Sequence, residues 1–159
     1  MPPFAALWAN HPHVKSEAAL LDKAVYADQC AVNLSAALMR CGVDLTSFQG
    51  VRSWQKDAPK YPIRAQQLAD WLNTPRSTLA FRAEKYSGKE AFDKMKAKTG
   101  IVFVQNYWGP GRQGDHIDLW NGSRLTDALS WARIHWRLSW EGVMTDYRKA
   151  ESIWFWRVL

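Results

Sequence analysis

The hydrophobic pattern of this chain changes period near residue 99, and that change limits the fold more than any other feature. Up to there, apolar residues recur at helical spacing between stretches broken by proline and glycine. From Thr99 the run Thr99-Gly100-Ile101-Val102-Phe103-Val104-Gln105-Asn106-Tyr107-Trp108 is apolar and β-branched, the pattern of a buried strand. His116 to Trp120 reads as the next strand, closed by Asn121-Gly122, a type I′ hairpin signal. Ser123 to Thr126 starts the returning segment, and Ile153 to Val158 is a terminal strand. Helices followed by such strands predict an α+β domain, with N-terminal helices packed on a mainly antiparallel sheet. No repeat and no linker divides residues 1 to 159, so one domain is expected.

The strongest helix is predicted from about Gln29 to Arg40. Cys30, Ala31, Val32, Leu34, Ala37, Leu38 and Cys41 fall on a wide apolar face, which places this helix centrally against the sheet. Asp28 serves as N-cap and Gly42 as the stop after the last turn. Arg64 to Leu72 gives a second helix with Leu68, Trp71 and Leu72 inward, ended by Asn73-Thr74-Pro75. Gly88 to Lys98 gives a third, with Phe92 and Met95 inward. Ser16 to Val25 is expected as a short helix capped by Ser16, and Leu79 to Phe81 as a strand. Thr46 to Pro62 and Gly109 to Gly114 read as irregular. Residues 1 to 13 are expected to be loosely ordered, because Pro2, Pro3 and Pro12 interrupt regular structure.

A chain of 159 residues, 47% hydrophobic and 23% charged, can bury a sizeable core. It has no apolar run of about 18 residues to span a membrane. Its first residues lack the basic and long apolar regions of a cleavable secretory signal. The net charge of +6 favours anionic partners: nucleic acid, phospholipid heads or acidic wall polymers. The basic residues are scattered, however, with no Lys/Arg block and no RNA-binding motif, as on a solvated surface. Cys30 and Cys41 on one helix would lie about 16 Å apart at about 1.5 Å per residue. Disulfides need Cα atoms within about 7 Å, so both thiols are expected to be free. Most of the ten tryptophans fit core packing, and an exposed few could stack on sugar rings. No Walker loop, dinucleotide fingerprint or zinc spacing occurs, so neither cofactor nor metal is expected. His11-Pro12-His13 lacks a nearby carboxylate or thiol and reads as disordered surface; His135 reads as structural.

Two segments carry chemistry. Asp28-Gln29-Cys30-Ala31-Val32-Asn33-Leu34-Ser35 places a thiol where a polar stretch turns into an apolar helix. A helix N-terminus has partial positive charge and free N–H groups, which favour thiolate. Gly114-Asp115-His116-Ile117-Asp118-Leu119-Trp120-Asn121-Gly122 places a histidine at the start of a strand. There His116 and Asp118 share one face, and Ile117 and Leu119 the other. An imidazole beside a thiol takes its proton and returns it to a leaving group, the pairing a cysteine hydrolase needs. Asp118 or Asp127, the latter across the hairpin, can orient the ring; Asp127 can also cap a helix from Ala128 onward. The Cys30 N–H is a candidate oxyanion donor. Each has a plainer reading: Cys30 as a buried structural cysteine, His116 as a surface histidine beside a turn.

Asp28 to Leu38, Thr99 to Phe103 and Gly114 to Gly122 resemble, in this order, the type VI secretion amidase effector 4 family, over most of the chain. His-x-x-Leu-Trp-Asn-Gly is the more specific element. The resemblance implies a papain-like, NlpC/P60-type fold and a peptidoglycan amidase. Such an enzyme cuts between D-glutamate and meso-diaminopimelate in the peptide stem through an acyl-enzyme. It implies Cys30 as nucleophile, His116 as general base and Asp127 at the position of the family's aspartate. Trp108 and Asp118 are the candidate substrate contacts. It also implies a cognate periplasmic immunity protein and delivery by the type VI apparatus, from the producer's cytoplasm into the target's periplasm without a cleavable signal. Neither nucleic-acid binding nor membrane insertion is expected. The alternatives are an N-acetylmuramoyl-L-alanine amidase, an acyltransferase, or a non-catalytic basic, Trp-rich module binding cell wall or nucleic acid.

Overall fold

The computed structural model describes residues 1–77, 82–108, 114–126 and 149–159. Among them the helices are α1 (Phe4–Asn10), α2 (Cys30–Arg40), α3 (Ala65–Leu72) and α4 (Gly88–Met95). The strands are β1 (Glu84–Tyr86), β2 (Gly100–Trp108), β3 (Gly114–Trp120) and β4 (Ser152–Arg157). They form one antiparallel sheet in the order β1-β4-β2-β3. The α+β class and the antiparallel sheet agree with the sequence reading.

β2 is flanked on both sides: Ile101 lies opposite Leu119 and Trp156, and Phe103 opposite Ile117 and Trp154. These residues join Leu7 of α1, Leu34 and Leu38 of α2, and Leu68 and Leu72 of α3 in the main core. The alternate positions Val102 and Val104, with Trp120, Ile153 and Phe155, pack against Ala91, Phe92 and Met95 of α4. Helices therefore cover both faces of the sheet. That is why β2 reads as a continuous apolar run rather than an alternating one.

α2 is more deeply enclosed than one apolar face requires. Ala31 to Leu38 are buried at every position. Val32 and Ala36 meet Leu21, Tyr26 and Tyr61 on the flank away from the main core. The helix ends as its sequence predicts: Gly42 adopts φ +80°, a left-handed conformation that glycine enters at little cost. Its start differs by one residue, with Gln29 rather than Asp28 at the N-cap position. The Asp28 side chain still caps, since its Oδ1 accepts from the Cys30 N–H at 3.1 Å.

Residues 1–13 are not the loose segment their prolines predict. Pro3 occupies the N-cap of α1, where a missing N–H is harmless, and Leu7 is fully buried. The Phe4 N–H donates to the Leu159 carbonyl at 2.7 Å, tying the first helix to the end of the chain. Ser16 to Val25 forms turns, not a helix, and Ser16 has φ 55°. So short a segment cannot nucleate a helix unaided. Its backbone is held instead by the buried Gln29, whose Nε2 donates to the carbonyls of Leu21 (2.8 Å) and Tyr26 (3.0 Å). The Leu21 N–H returns a bond to Gln29 Oε1 at 3.2 Å.

The predicted two-residue hairpin is a longer turn. Trp120 bridges Leu125, and the Asn121 N–H donates to the Arg124 carbonyl at 3.1 Å. Asn121 Oδ1 accepts from the N–H groups of Ser123 and Arg124, so the asparagine closes the loop through its side chain. Trp154 and Trp156 are core residues. Leu79 to Phe81, residues 109–113, Trp131, His135, Trp136 and Trp140 lie outside the described residues.

Candidate active site

The first residue of α2 and the middle of β3 meet. The Cys30 thiol is hydrogen-bonded to the His116 side chain and to the backbone of Ile117. His116 Nε2 lies 3.6 Å from Asp118 Oδ2, a loose contact of the kind that tightens when substrate binds. Cys30 is partly exposed as a residue. Among the described residues β3 lies at one edge of the sheet, and the chain just past its turn comes alongside Asp118. The Thr126 N–H donates to Asp118 Oδ2 at 3.0 Å, and the Thr126 hydroxyl donates to Oδ1. The Leu119 N–H donates to Oδ1 at 2.7 Å.

Of the residues singled out in the sequence, Cys30, His116 and Asp118 are thus brought together. Asp118 is not placed as a substrate contact: it is 2% exposed, and both its oxygens are taken by protein donors. Asp127 lies outside the described residues, as does the side chain of Trp108, whose backbone pairs with Gly114 at the end of β2. The Cys30 N–H, expected to be open to an oxyanion, is occupied by Asp28. A surface groove of about 300 Å³ runs beside α3, lined by Ser47, Gln67, Trp71 and Arg76 among others, and does not include Cys30.

A further residue belongs to the cluster. His11, read from sequence as disordered surface, follows α1 directly and is 1% exposed. Its Nε2 lies 3.5 Å from Asp118 Oδ1, and its Nδ1 accepts from the His13 N–H at 3.3 Å. The signal was present in the spacing of Phe4, Leu7, Trp8 and His11, which is i, i+3, i+4, i+7 on one helix face. The neighbouring prolines concealed it.

Burial pushes the Cys30 thiol up. The bond to His116 and its charge pull it down, Asp28 pushes it up, and the Ile117 backbone pulls it down. The net direction is upward, so the thiol is not held below its ordinary value as a helix N-terminus alone would hold it. Burial alone would also raise Asp118. Contact with His116, the fields of His11 and His116, and the bond from Thr126 outweigh it and hold the carboxyl at about 2. Burial lowers His11 to about 4, against the pull of Asp118. At neutral pH the cluster therefore holds an ionised Asp118 beside a neutral His11. Asp115, next to His116, is raised first by burial and then by the like charges of Asp28, Asp70 and Glu151, against a bond from the Asn106 N–H. Asp28, Asp70, Asp115 and Glu151 thus lie within one another's fields beside His116.

The model of type VI secretion system amidase effector protein 4, Tae4, matches residues 26–156. The chain belongs to the Tae4 family. It is therefore an amidase effector of type VI secretion, and a hydrolase. The papain-like, NlpC/P60-type description fits the family. Among solved structures, the Tae4/Tai4 effector–immunity system from Salmonella typhimurium (selenomethionine variant) aligns over 100% of this chain and 99% of that one, with 17% identity and a TM-score of 0.70. The Tae4–Tai4 effector–immunity complex from Enterobacter cloacae aligns over 100% and 99%, with 20% identity and a TM-score of 0.68. The effector Tae4 from Enterobacter cloacae aligns over 100% and 98%, with 18% identity and a TM-score of 0.62. At these identities the likeness is one of fold. No curated protein sequence gives a significant match.

Proposed function

We propose that this Tae4-family chain is a toxin that hydrolyses the amide between D-glutamate and meso-diaminopimelate in the peptide stem of peptidoglycan, in the periplasm of a rival cell. The observation that supports this reading best is the Cys30 thiol bonded to His116, with His116 Nε2 facing Asp118, at the head of a buried helix.

With Nε2 turned to Asp118, Nδ1 is the ring nitrogen that takes the thiol proton. Burial favours the neutral thiol, so proton transfer to His116 accompanies attack rather than preceding it. The sulfur bonds to the D-glutamyl γ-carbonyl carbon, and the carbonyl oxygen becomes an oxyanion. Collapse breaks the C–N bond; the amine leaves with the proton from His116, and Cys30 carries a thioester. Water then gives a proton to His116 and its oxygen attacks the thioester. The acid departs, and the proton returns to the sulfur. Asp127, at the family's aspartate position, holds the ring, and Asp118 stays ionised beside it. The Cys30 N–H serves the oxyanion once Asp28 has released it.

The carboxylates Asp28, Asp70, Asp115 and Glu151 suit a leaving amino acid with a second ammonium group, as diaminopimelate has. The net charge of +6 suits an anionic wall polymer. Trp108, at the end of β2, is assigned a substrate contact. Asp127 holds the family's aspartate position by resemblance, and Asp118 is the second candidate for orienting His116. Because several of the similar structures hold Tae4 with Tai4, a cognate periplasmic immunity protein is the partner proposed to cover the site.

The test is a digest of defined muropeptides by the wild type, Cys30→Ala and His116→Ala, read by mass spectrometry. The expected product pair reports cleavage between D-glutamate and diaminopimelate, with both variants folded and inactive. A Cys30→Ala variant that still degrades purified sacculi would refute the mechanism. Cleavage at the muramoyl–L-alanine bond, or transfer without hydrolysis, would refute the substrate.

A further inference from the structure

We propose that Trp54 is a sugar-stacking platform beside this active site, holding the amino-sugar ring that carries the peptide stem while Cys30 works on the stem. The inference rests on the peptidoglycan reading above and adds a glycan subsite to it.

Three observations converge. First, Trp54 is 61% exposed, whereas Trp71, Trp120, Trp154 and Trp156 are buried. A single exposed apolar side chain would mean little by itself. The second observation is that this one is held in place. The Tyr26 ring backs it at 4.9 Å and 53°, and the Tyr26 hydroxyl accepts from the Trp54 N–H at 2.9 Å. On one side the Ser53 N–H donates to the Tyr61 carbonyl at 2.8 Å, and the Tyr61 N–H returns a bond to Ser53 Oγ at 3.0 Å. On the other, Gln55 Oε1 accepts from the Asp22 N–H at 2.9 Å. A ring fixed before its ligand arrives loses little freedom on binding. Third, the ring is tied to the head of α2. The Tyr26 carbonyl accepts from Gln29 Nε2 at 3.0 Å, and Gln29 is the N-cap of the helix that Cys30 begins. Four residues separate Tyr26 from Cys30, at most about 14 Å of chain. Between the muramic-acid ring and the D-glutamyl γ-carbonyl lie the lactyl group, L-alanine and the glutamyl chain, about 10–14 Å when extended at the reach of three to four residues. A carbonyl at Cys30 therefore leaves its sugar within reach of Trp54. A pyranose with equatorial substituents presents a flat face of C–H groups, which packs on the electron-rich face of an indole. Lys56 and Asp57, which follow in the same loop, are exposed and can bond the hydroxyl and N-acetyl groups at its rim.

The experiment uses the full-length chain, its Trp54→Ala and Trp54→Phe variants, and two probes with the same stem: the GlcNAc–MurNAc tetrapeptide and the tetrapeptide without sugar. The wild type is expected to favour the glycosylated probe by about 3- to 10-fold in kcat/KM, the worth of one aromatic contact, through KM rather than kcat. Trp54→Ala is expected to lose that preference and to match the wild type on the sugar-free probe. Trp54→Phe is expected to keep part of it. The Trp54 N–H bond to Tyr26 belongs to the backbone and is available to both variants.

Equal kcat/KM of the wild type on the two probes would overturn the proposal without recourse to any variant. So would an undiminished preference in Trp54→Ala, or equal losses on both probes, which would make the ring a support for its loop. Failure of the wild type to cut either probe between D-glutamate and diaminopimelate would remove the reading underneath. Equal cleavage of both at that bond would remove the role of Trp54 alone and leave its ring to a protein partner.

Discussion

Asp118 is the residue at which stability and catalysis can be separated by pH. Its carboxyl is held at about 2 in the folded chain, against an ordinary value of 3.8. A depression of that size corresponds to about 2–3 kcal/mol in favour of the folded, ionised form. Because the folded value is the lower one, this stabilisation is complete above pH 4 and is lost as pH falls through about 2. Asp118→Asn keeps the shape and removes the charge. It also creates a steric and polar conflict: Leu119 donates an N–H to Oδ1 and Thr126 donates an N–H to Oδ2. Whichever way the asparagine amide turns, its NH₂ meets a backbone N–H. In urea titrations at pH 7 the variant should therefore lose at least about 2–3 kcal/mol, a deficit that shrinks as the pH approaches 2. Turnover should fall as well, because His116 loses the carboxylate that faces its Nε2. An Asp118→Asn variant with the wild-type urea midpoint at pH 7 and wild-type kcat would refute both the energetic account and the assignment. The parallel Asp127→Asn variant shows which aspartate carries the larger share.

Other expectations follow from the same geometry. Asp28→Asn keeps an acceptor for the Cys30 N–H but removes a charge that pushes the thiol up, so alkylation of Cys30 should become faster at pH 7. Stopped-flow labelling with iodoacetamide across pH checks this; a profile shifted to higher pH would contradict it. Leu7→Ala opens a cavity in the main core beneath α1 and should cost about 2–5 kcal/mol by urea unfolding; a wild-type urea midpoint would contradict the burial of α1. His11 is held at about 4 against an ordinary 6.5, so the unfolded chain binds a proton that the folded one refuses. Stability should thus decline as pH drops from about 6.5 to about 4, and His11→Gln should flatten that decline; an equally steep slope in the variant would assign the effect to other groups.

Much of the fold was legible because it is local. α2 could be read to within a residue from its apolar spacing and Gly42, and β2 from its β-branched run. α1 was missed because Pro2 and Pro3 were read as breakers rather than as a helix start. The turn after β3 was misjudged because the Asn121 side chain, rather than a two-residue loop, closes it. Cys30 and His116 were recognisable from their positions at a helix start and a strand start, and from the family blocks around them.

The sequence by itself determined α2 to α4 and β2 to β4, and which thiol and imidazole were worth pairing, because periodicity, caps and turn residues act over a few positions. Only the tertiary structure decided that α1 brings His11 to Asp118, that Asp28 occupies the Cys30 amide, and that burial raises the thiol rather than letting the helix lower it. These are properties of distance and dielectric between residues far apart in the chain. They exist only once the helices have closed over the sheet.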